Sequence, residues 1–440
     1  MSTPPQVKKA KPAPARMFQS LKGMQDVLPQ EQVLWDRIER TLRDLAEFYN
    51  FGKIDTPILE FAELFNKTSG EESDVVQKEM YTLRTKGGDM LALRPEFTPA
   101  IMRAYLEHGM SRMGQPQKLF YAGPVFRHDK PQLGRYRQFT QAGFEVISGP
   151  NDPLYDAQVI QIFLRLLETL KIKGIVLKIN SIGCRVCRPI YKRQLTNYYK
   201  DHEKELCENC ARRLKTNPLR LLDCKEEACL KLKEKAPNFL DKLCVTCSHH
   251  FKGVLEYLDE LKISYALDNH LVRGLDYYSR TVFEFYTDGP GAEAGALVAG
   301  GRYDYLMEMI GGHLTPAVGG AAGIDRIIVA MKAQETKFVA KPVKRVFLAH
   351  AGELAKRKSL PLIEKLREAG ISVSENLAKE SLKAQLKAAD KEGIALALIL
   401  GQKEIYEESV IMRDLRTGLQ ENIPLVRIVD EIKKRWKAGE

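Results

Sequence analysis

The run from Leu119 to Ile147, LFYAGPVFRHDKPQLGRYRQFTQAGFEVI, restricts the fold more than any other part of the chain. Leu119–Arg127 and Arg137–Ile147 are rich in Phe, Tyr, Val and Ile, and a polar connection from His128 to Tyr136, containing Pro and Gly, separates them. That is the pattern of two strands joined by a loop. Successive side chains of a strand point to opposite faces, so Arg137, Gln141 and Glu145 share one face of the second strand. Gly143 leaves space between two of them. Arg127 lies in phase with Tyr121, Gly123 and Val125 on the first strand. Paired as a hairpin, the two strands bring a basic group, an amide and a carboxylate over one small open patch. Positions 137, 141 and 145 also fall on one face of a helix, where they would be an ordinary solvated stripe. Gly143 and the apolar ending Phe144–Ile147 favour the strand.

The remaining totals set wide bounds. A chain of 440 residues, 44% hydrophobic and 28% charged, accommodates two or three globular domains with a substantial core. Its longest apolar run, Ile394–Leu400, is far below the ~18 residues of a membrane span. Residues 1–17 scatter Lys8, Lys9 and Lys11 among Pro and Ala, without the apolar core of a signal peptide, and read as a disordered basic tail. Of the net charge of +11, +7 falls between Ile182 and Lys252, where 16 Lys and Arg face 9 Asp and Glu. Such a segment suits RNA or DNA, and a solvated surface explains it equally well.

All eight cysteines lie in the same segment, as Cys184-x-x-Cys187, Cys207-x-x-Cys210, Cys224-x4-Cys229 and Cys244-x-x-Cys247. Paired thiols at this spacing match tetrahedral zinc sites, two of them by count. Disulfides and free thiols are the alternatives, and the pairing is not readable from spacing.

Further loaded stretches surround these. Glu31 to Tyr49 places Trp35, Ile38, Leu42, Leu45 and Phe48 at helical spacing, and Lys53–Ile58 reads as a strand with Pro57 at an edge or end. Met80–Leu93 reads as a hairpin turning at Thr85–Asp89, followed by Leu93-Arg94-Pro95-Glu96-Phe97-Thr98 and a helix with Thr98 as N-cap and Pro99 first inside. Glu96 in isolation is equally a solvated acid. Arg273-Gly274-Leu275-Asp276-Tyr277-Tyr278 precedes an alternating strand, and in isolation Arg273 is as readily a surface arginine in a turn. Val318–Gly323 is a small-residue strand passing into a helix that opens with Asp325 and Arg326; such residues let a planar group lie against the backbone. From Arg345 the order becomes βαβα with two further strands and a last helix, a separate α/β domain with a mixed sheet.

FRHDKPQLGRYRQFTQAGFE resembles motif 2 of class II aminoacyl-tRNA synthetases in the form found in the histidyl-tRNA synthetase family. RGLDYY followed by TVFEF carries the same resemblance, as do the helix and strand near the start (motif 1), Val318–Ile328 (motif 3), and GQKE with VIMRDLRTGLQ near the end. The likeness runs from Phe18 onward and is weakest in the cysteine-rich segment. It departs at Phe97 and Tyr305, where family members often show Gly.

The resemblance implies an α+β fold: a class II antiparallel-sheet catalytic domain over 18–332, interrupted by a Cys-rich insertion at 182–252, then a linker at 333–344 and an α/β anticodon-binding domain at 345–440. It implies a cytoplasmic, homodimeric ligase, not a membrane protein. Such an enzyme activates L-histidine with ATP and Mg²⁺ and transfers it to the 3′ end of tRNA(His). Arg127 and Arg273 would flank the α-phosphate, Arg326 the γ-phosphate, and Arg135 would assist. Glu96, Thr98 and Gln141 would hold the α-amino group. Glu145 and Tyr278 would face the imidazole, Tyr277 would also bind the histidine, and Arg273 would lie at the substrate carboxylate as well. The insertion would grip the acceptor arm, with no part in the chemistry; zinc at Cys184, Cys187, Cys207, Cys210, Cys224, Cys229, Cys244 and Cys247 is not a general family feature. Two other readings compete: a histidine-binding regulatory relative without ligase activity, and a zinc-containing RNA-binding protein without chemistry. Histidine-dependent ATP–pyrophosphate exchange separates the three.

Overall fold

The structure, a computed structural model, describes residues 18–438 apart from 71–72, 74, 148, 150 and 339–343. The expected basic tail at 1–17 and the middle of the expected linker lie outside the described residues. The chain divides into two compact units, one up to Lys337 and one from Phe338.

The first unit is built on an eight-stranded sheet. Its spatial order is Gly52–Lys53, Gln117–Phe126, Gln138–Ile147, Ala317–Gly323, Val298–Arg302, Ser279–Thr287, Ile175–Ser181 and Ala266–Leu267. The six inner strands are antiparallel, and each short outer strand pairs parallel with its neighbour. The expected hairpin is present: Tyr121 stands opposite Gly143 and Gly123 opposite Gln141. Phe144 points to the other face, where it meets Phe163 of the helix Pro153–Thr169 edge-on at 5.6 Å. That helix is capped by Asp152, which accepts a hydrogen bond from the Leu154 amide at 2.8 Å, and it buries Val159, Ile160, Phe163, Leu166 and Leu167 while Arg165 and Glu168 face outward. The face carrying Gln141, Gly143 and Glu145 is thereby left for the site.

Beneath the sheet Arg302, 2% exposed, bridges Asp156 at 2.6 Å and Asp304 at 3.0 Å, with His250 a further partner of Asp156. A buried cation between two carboxylates is costly to break, since removal leaves uncompensated charge. Arg302→Met is expected to destabilise the first unit by about 3–5 kcal/mol, read as an early first transition in urea unfolding.

The strand expected over Lys53–Ile58 is a correction. Gly52 and Lys53 pair with the large sheet, the Ile54 amide adds one bond to the Phe120 carbonyl at 2.8 Å, and the contact ends there; Leu59–Phe61 joins a separate three-stranded sheet with Met90–Leu93 and Thr82–Arg84. Pro57 has no amide to offer a ladder. The Arg94 guanidinium binds the carbonyls of Thr56 (2.7 Å), Pro57 (3.3 Å) and Pro124 (2.9 Å) instead. Arg94 also lies over the Phe97 ring at 3.8 Å, and Phe97 stacks on Tyr121 at 4.3 Å, so the departure at position 97 is packed.

Residues 182–265 form no strand. The helices Cys187–Asp201, Glu208–Thr216 and Glu227–Glu234 and the 3₁₀ turns Pro218–Asp223 and Leu240–Lys242 enclose a small core of Tyr191, Leu195, Tyr199, Leu222 and Phe239. The helix Val245–Glu260, which leads back to the sheet, starts directly after Cys244. The Tyr305 departure is covered by this segment: Arg185 lies 4.0 Å over its ring.

The second unit has a five-stranded mixed sheet, ordered Ser372–Glu375, Arg345–His350, Leu396–Leu400, Ser409–Asp414, Gln420–Pro424. The first three strands are parallel and the last two antiparallel. Helices Glu353–Glu368, Leu382–Lys391 and Ile428–Ala438 accompany it, with a short helix Gln402–Tyr406 that the sequence pattern does not indicate. Among the described residues, no helix is long and apolar enough to cross a membrane.

Candidate active site

One cavity of about 460 Å³ opens on the free face of the large sheet. Of the residues singled out in the sequence, Glu96, Thr98, Arg127, Arg135, Gln141, Arg273, Tyr278 and Arg326 line it. Arg127 is fixed by its Nε on the Pro95 carbonyl at 2.9 Å and by the backbone bond from its amide to the Arg137 carbonyl, also 2.9 Å, that continues the hairpin. Arg326 donates to the Ala296 and Gly134 carbonyls at 2.7 and 3.3 Å. Asp325, beside it, accepts from the Thr140 amide at 2.8 Å and ties the motif 3 helix to the motif 2 strand. Burial and the neighbouring cations Arg135 and Arg127 push Arg326 down to about 10. Cations crowded enough to oppose one another's charge, in a concave wall, define a polyanion site.

Arg273 is ion-paired to Glu284 and lies 5.4 Å from the centre of the Tyr278 ring. Burial alone would favour loss of its proton, but the adjacent Glu284 carboxylate outweighs this and holds it charged. Floor residues Ala299, Gly320, Ala321 and Gly323 are small, and Phe139 stands beside them.

The acids sit deeper. Glu96 is buried and accepts from the Tyr277 hydroxyl at 2.6 Å and from Ser69 at 3.2 Å; burial raises its pKa. Tyr277, expected among the histidine-binding residues, is not part of the cavity lining and donates its hydroxyl to Glu96. Thr98, read as an N-cap, makes no capping bond; its hydroxyl donates to Glu145 at 3.0 Å. Glu145 lies one layer below the cavity and also accepts from Tyr121 at 3.3 Å and from Tyr303. Burial pushes its carboxyl up to about 8, against the pull of these three hydroxyls. Gln141 lines the cavity, and its Oε1 is buried without a hydrogen-bond partner, an acceptor facing a space that a cation could fill. Arg137 turns away from the patch, donating to the backbone carbonyls of Lys22 and Asp129 at 3.3 Å.

Glu145 fits because Gly319 faces it. A Cβ there would fall 1.5 Å from Oε2 and 2.8 Å from the Phe144 carbonyl. Gly319→Ala is expected to displace the carboxylate and lower histidine affinity about tenfold or more, measurable by titration calorimetry.

Tyr121, Tyr303, Ser69 and Glu284 are site residues that sequence reasoning does not assign. Tyr121 and Glu284 had a signal, in-phase strand positions beside assigned residues; Ser69 and Tyr303 had none. A further correction concerns the insertion: Arg213, Arg220 and Asp223 form part of the cavity wall. Its cysteines lie apart from the cavity in two groups, Cys184, Cys187, Cys244, Cys247 and Cys207, Cys210, Cys224, Cys229.

A family model described as histidyl-tRNA synthetase matches residues 23–327, and one described as anticodon binding domain matches 346–435. Histidine–tRNA ligase of Dehalococcoides mccartyi is 45% identical over 95% of this chain and all of its own length. That of Desulforudis audaxviator is 44% identical over 94% and 98%. The crystal structure of apo S. aureus histidyl-tRNA synthetase is 33% identical and covers 95% of this chain and all of its own, with a TM-score of 0.79. Near-complete coverage in both directions, over the strands and loops that build the cavity, places the chain in the histidyl-tRNA synthetase family of class II aminoacyl-tRNA synthetases.

Proposed function

We propose that the cavity joins L-histidine to ATP, forming histidyl-adenylate and diphosphate, and that the second step esterifies the 3′ end of tRNA(His). The single observation that carries this is the convergence of Arg127, Arg273 and Arg326 on one cavity that also holds Glu96, Gln141 and Tyr278. Three cations from distant motifs meet beside an amine-and-imidazole pocket, as the joining of a phosphate to an amino acid requires.

The histidine carboxylate attacks the α-phosphate, and the bond from that phosphorus to the bridging oxygen breaks. Negative charge grows on the α-phosphate oxygens, so fixed cations matter more than a protein nucleophile. Arg127 and Arg273 flank that phosphate, and Arg326 with Arg135 takes the departing diphosphate. Phe139 and the small-residue floor at Ala299, Gly320 and Ala321 suit the flat adenine. Glu96 and Gln141 face the ammonium, with Thr98 beside them. Tyr278 and Glu145 receive the imidazole, Glu145 accepting its N–H from below in place of one of the hydroxyls now bound there. Glu79 and Glu284 present hard oxygens on the cavity wall that would hold Mg²⁺ carried in on ATP, which would offset part of the triphosphate charge.

The second unit is the anticodon reader, and the basic insertion lies along the acceptor arm. The exposed apolar side chains Phe48, Leu59, Phe61 and Met90 supply a face for a second copy, giving a homodimer, and the enzyme works in the cytoplasm. Histidine-dependent ATP–pyrophosphate exchange, followed by charging of tRNA(His), tests the reaction. Exchange that is absent, or equal with all amino acids, overturns it.

A further inference from the structure

We infer that the insertion holds two zinc ions, and that the inner one fixes Arg220 against the Arg273 loop, making the metal module a positioning device for the active site. Within each group of four cysteines every Sγ lies within 4.8 Å of the others. A tetrahedral ion with Zn–S bonds of about 2.3 Å requires S···S edges of about 3.8 Å. The separations Cys184–Cys187, Cys184–Cys244 and Cys207–Cys224 are 3.7, 3.9 and 3.9 Å. Disulfides would need about 2.05 Å. Sites this compact suit one ion each and not a multi-iron cluster, with zinc the usual occupant of four thiolates in this geometry. Backbone amides already point at the sulfurs: Cys244 at Cys187 (3.0 Å), Val186 at Cys184 (3.4 Å) and Cys207 at Cys229 (3.4 Å). Such donors stabilise thiolate charge.

The pairing is nested. The outer site joins the first and last cysteine pairs and closes the base of the insertion. The inner site joins the two middle pairs, so its ligands Cys210 and Cys224 grip both ends of residues 211–223. That short segment supplies Arg213, Arg220 and Asp223 to the cavity wall. It has no strand and little core of its own, which is where small modules rely on a metal. Arg220 donates to the Gly274 carbonyl at 2.6 Å, and Asn217 to Asp276 at 3.0 Å. Gly274 follows Arg273, so the inner site is linked through Arg220 to the cation at the reacting phosphate.

The positioning half rests on the ligase reading; the metal half does not. Native mass spectrometry with elemental analysis of the whole reduced protein is expected to give two zinc ions per chain. Cys224→Ser with Cys229→Ser should leave one. Finding no zinc, iron in its place, or the mass deficit of disulfides in the untreated protein overturns the metal sites. Because the cysteine variant can lose its local fold, Arg220→Ala tests the link with both ions retained. Its kcat for pyrophosphate exchange should fall about 30- to 100-fold while KM for histidine moves less than about threefold, and Arg220→Lys should recover part of the loss. Unchanged kcat in Arg220→Ala overturns the link. Wild-type protein without any exchange overturns the ligase reading and the link together, while the zinc count still decides the metal sites.

Discussion

Arg273→Ala is expected to lower kcat/KM for histidine-dependent ATP–pyrophosphate exchange by at least about 10³-fold, the upper end for removing one preorganised donor from a charge-developing site. The loss has two physical parts. In the proposed reaction Arg273 serves both the carboxylate that attacks and the phosphate attacked, so its removal would affect orientation and charge together. It is also the ion-pair partner of Glu284, which is only 9% exposed and is further bonded by the Tyr286 hydroxyl. Alanine would leave that carboxylate buried without its cation, a cost of about 3–5 kcal/mol that could itself unfold the wall of the site. Arg273→Met combined with Glu284→Gln removes both charges while keeping the volumes, and its thermal midpoint should return close to that of the parent. The double variant should nevertheless remain without exchange. A folded double variant that exchanges within about tenfold of the parent would show that Arg273 stabilises the cavity and does not act on the phosphate.

Why the strand residues of this site could be read from the sequence, while Arg273 and Arg326 needed the family resemblance, follows from where each is held. Gln141 and Glu145 lie on one strand and Arg127 directly follows its partner strand, so the period of two fixes which face they share before any tertiary contact forms. The antiparallel register of Tyr121 with Gly143 then brings that face together. Small residues at Ala321 and Gly323, opposite Gly143 and Gln141 in register, keep the cavity face of the sheet low enough for a ligand, whereas Gly320 is small because a Cβ there would meet Phe163 and Phe283 on the opposite face. What escapes such reading is depth. Nothing in alternation distinguishes a carboxylate at the surface of the cavity from one a layer beneath, and Glu145 is beneath because Thr98, Tyr121 and Tyr303 close over it from three separate elements. Tyr277 and Tyr278 are neighbours in a loop without a period, so which ring faces the cavity is decided only by the bond of the first to Glu96. The cysteine pairing is likewise a question of topology: four adjacent pairs can close in sequence or in a nest, and only the helices between them choose the nest. Lys53–Ile58 fails as a strand for a similar reason, since its carbonyls are claimed by Arg94, thirty-odd residues away.

Glu145→Gln should separate the stability of the free protein from its activity in opposite directions. Burial pushes the Glu145 carboxyl up to about 8, above the ordinary carboxylate value of 4.5 that it regains on unfolding. Between those limits the folded protein holds a proton that the unfolded chain has lost, so stability falls as pH rises through this window and stays lowered above about 8. Glutamine keeps the size and one acceptor oxygen, enough for Thr98 and Tyr121 on one side, while its NH2 donates to the Tyr303 hydroxyl on the other, and it carries no charge to bury. Its thermal midpoint should therefore match or trail the parent near pH 5 and exceed it by several degrees near pH 8.5. Glu96, also buried and also raised, titrates in the same sense and remains in both proteins, so the difference between the two curves is the quantity to read. Activity should move the other way. A neutral amide cannot match the carboxylate as acceptor for the imidazole N–H in a closed pocket, and kcat/KM for histidine should fall by about 10³-fold or more, the scale on which sites built around one polar contact discriminate. Parallel pH–stability curves would mean that Glu145 is ionised in the free protein throughout, its three hydroxyl donors outweighing burial. Retained activity would place the imidazole elsewhere in the cavity, against Tyr278 alone.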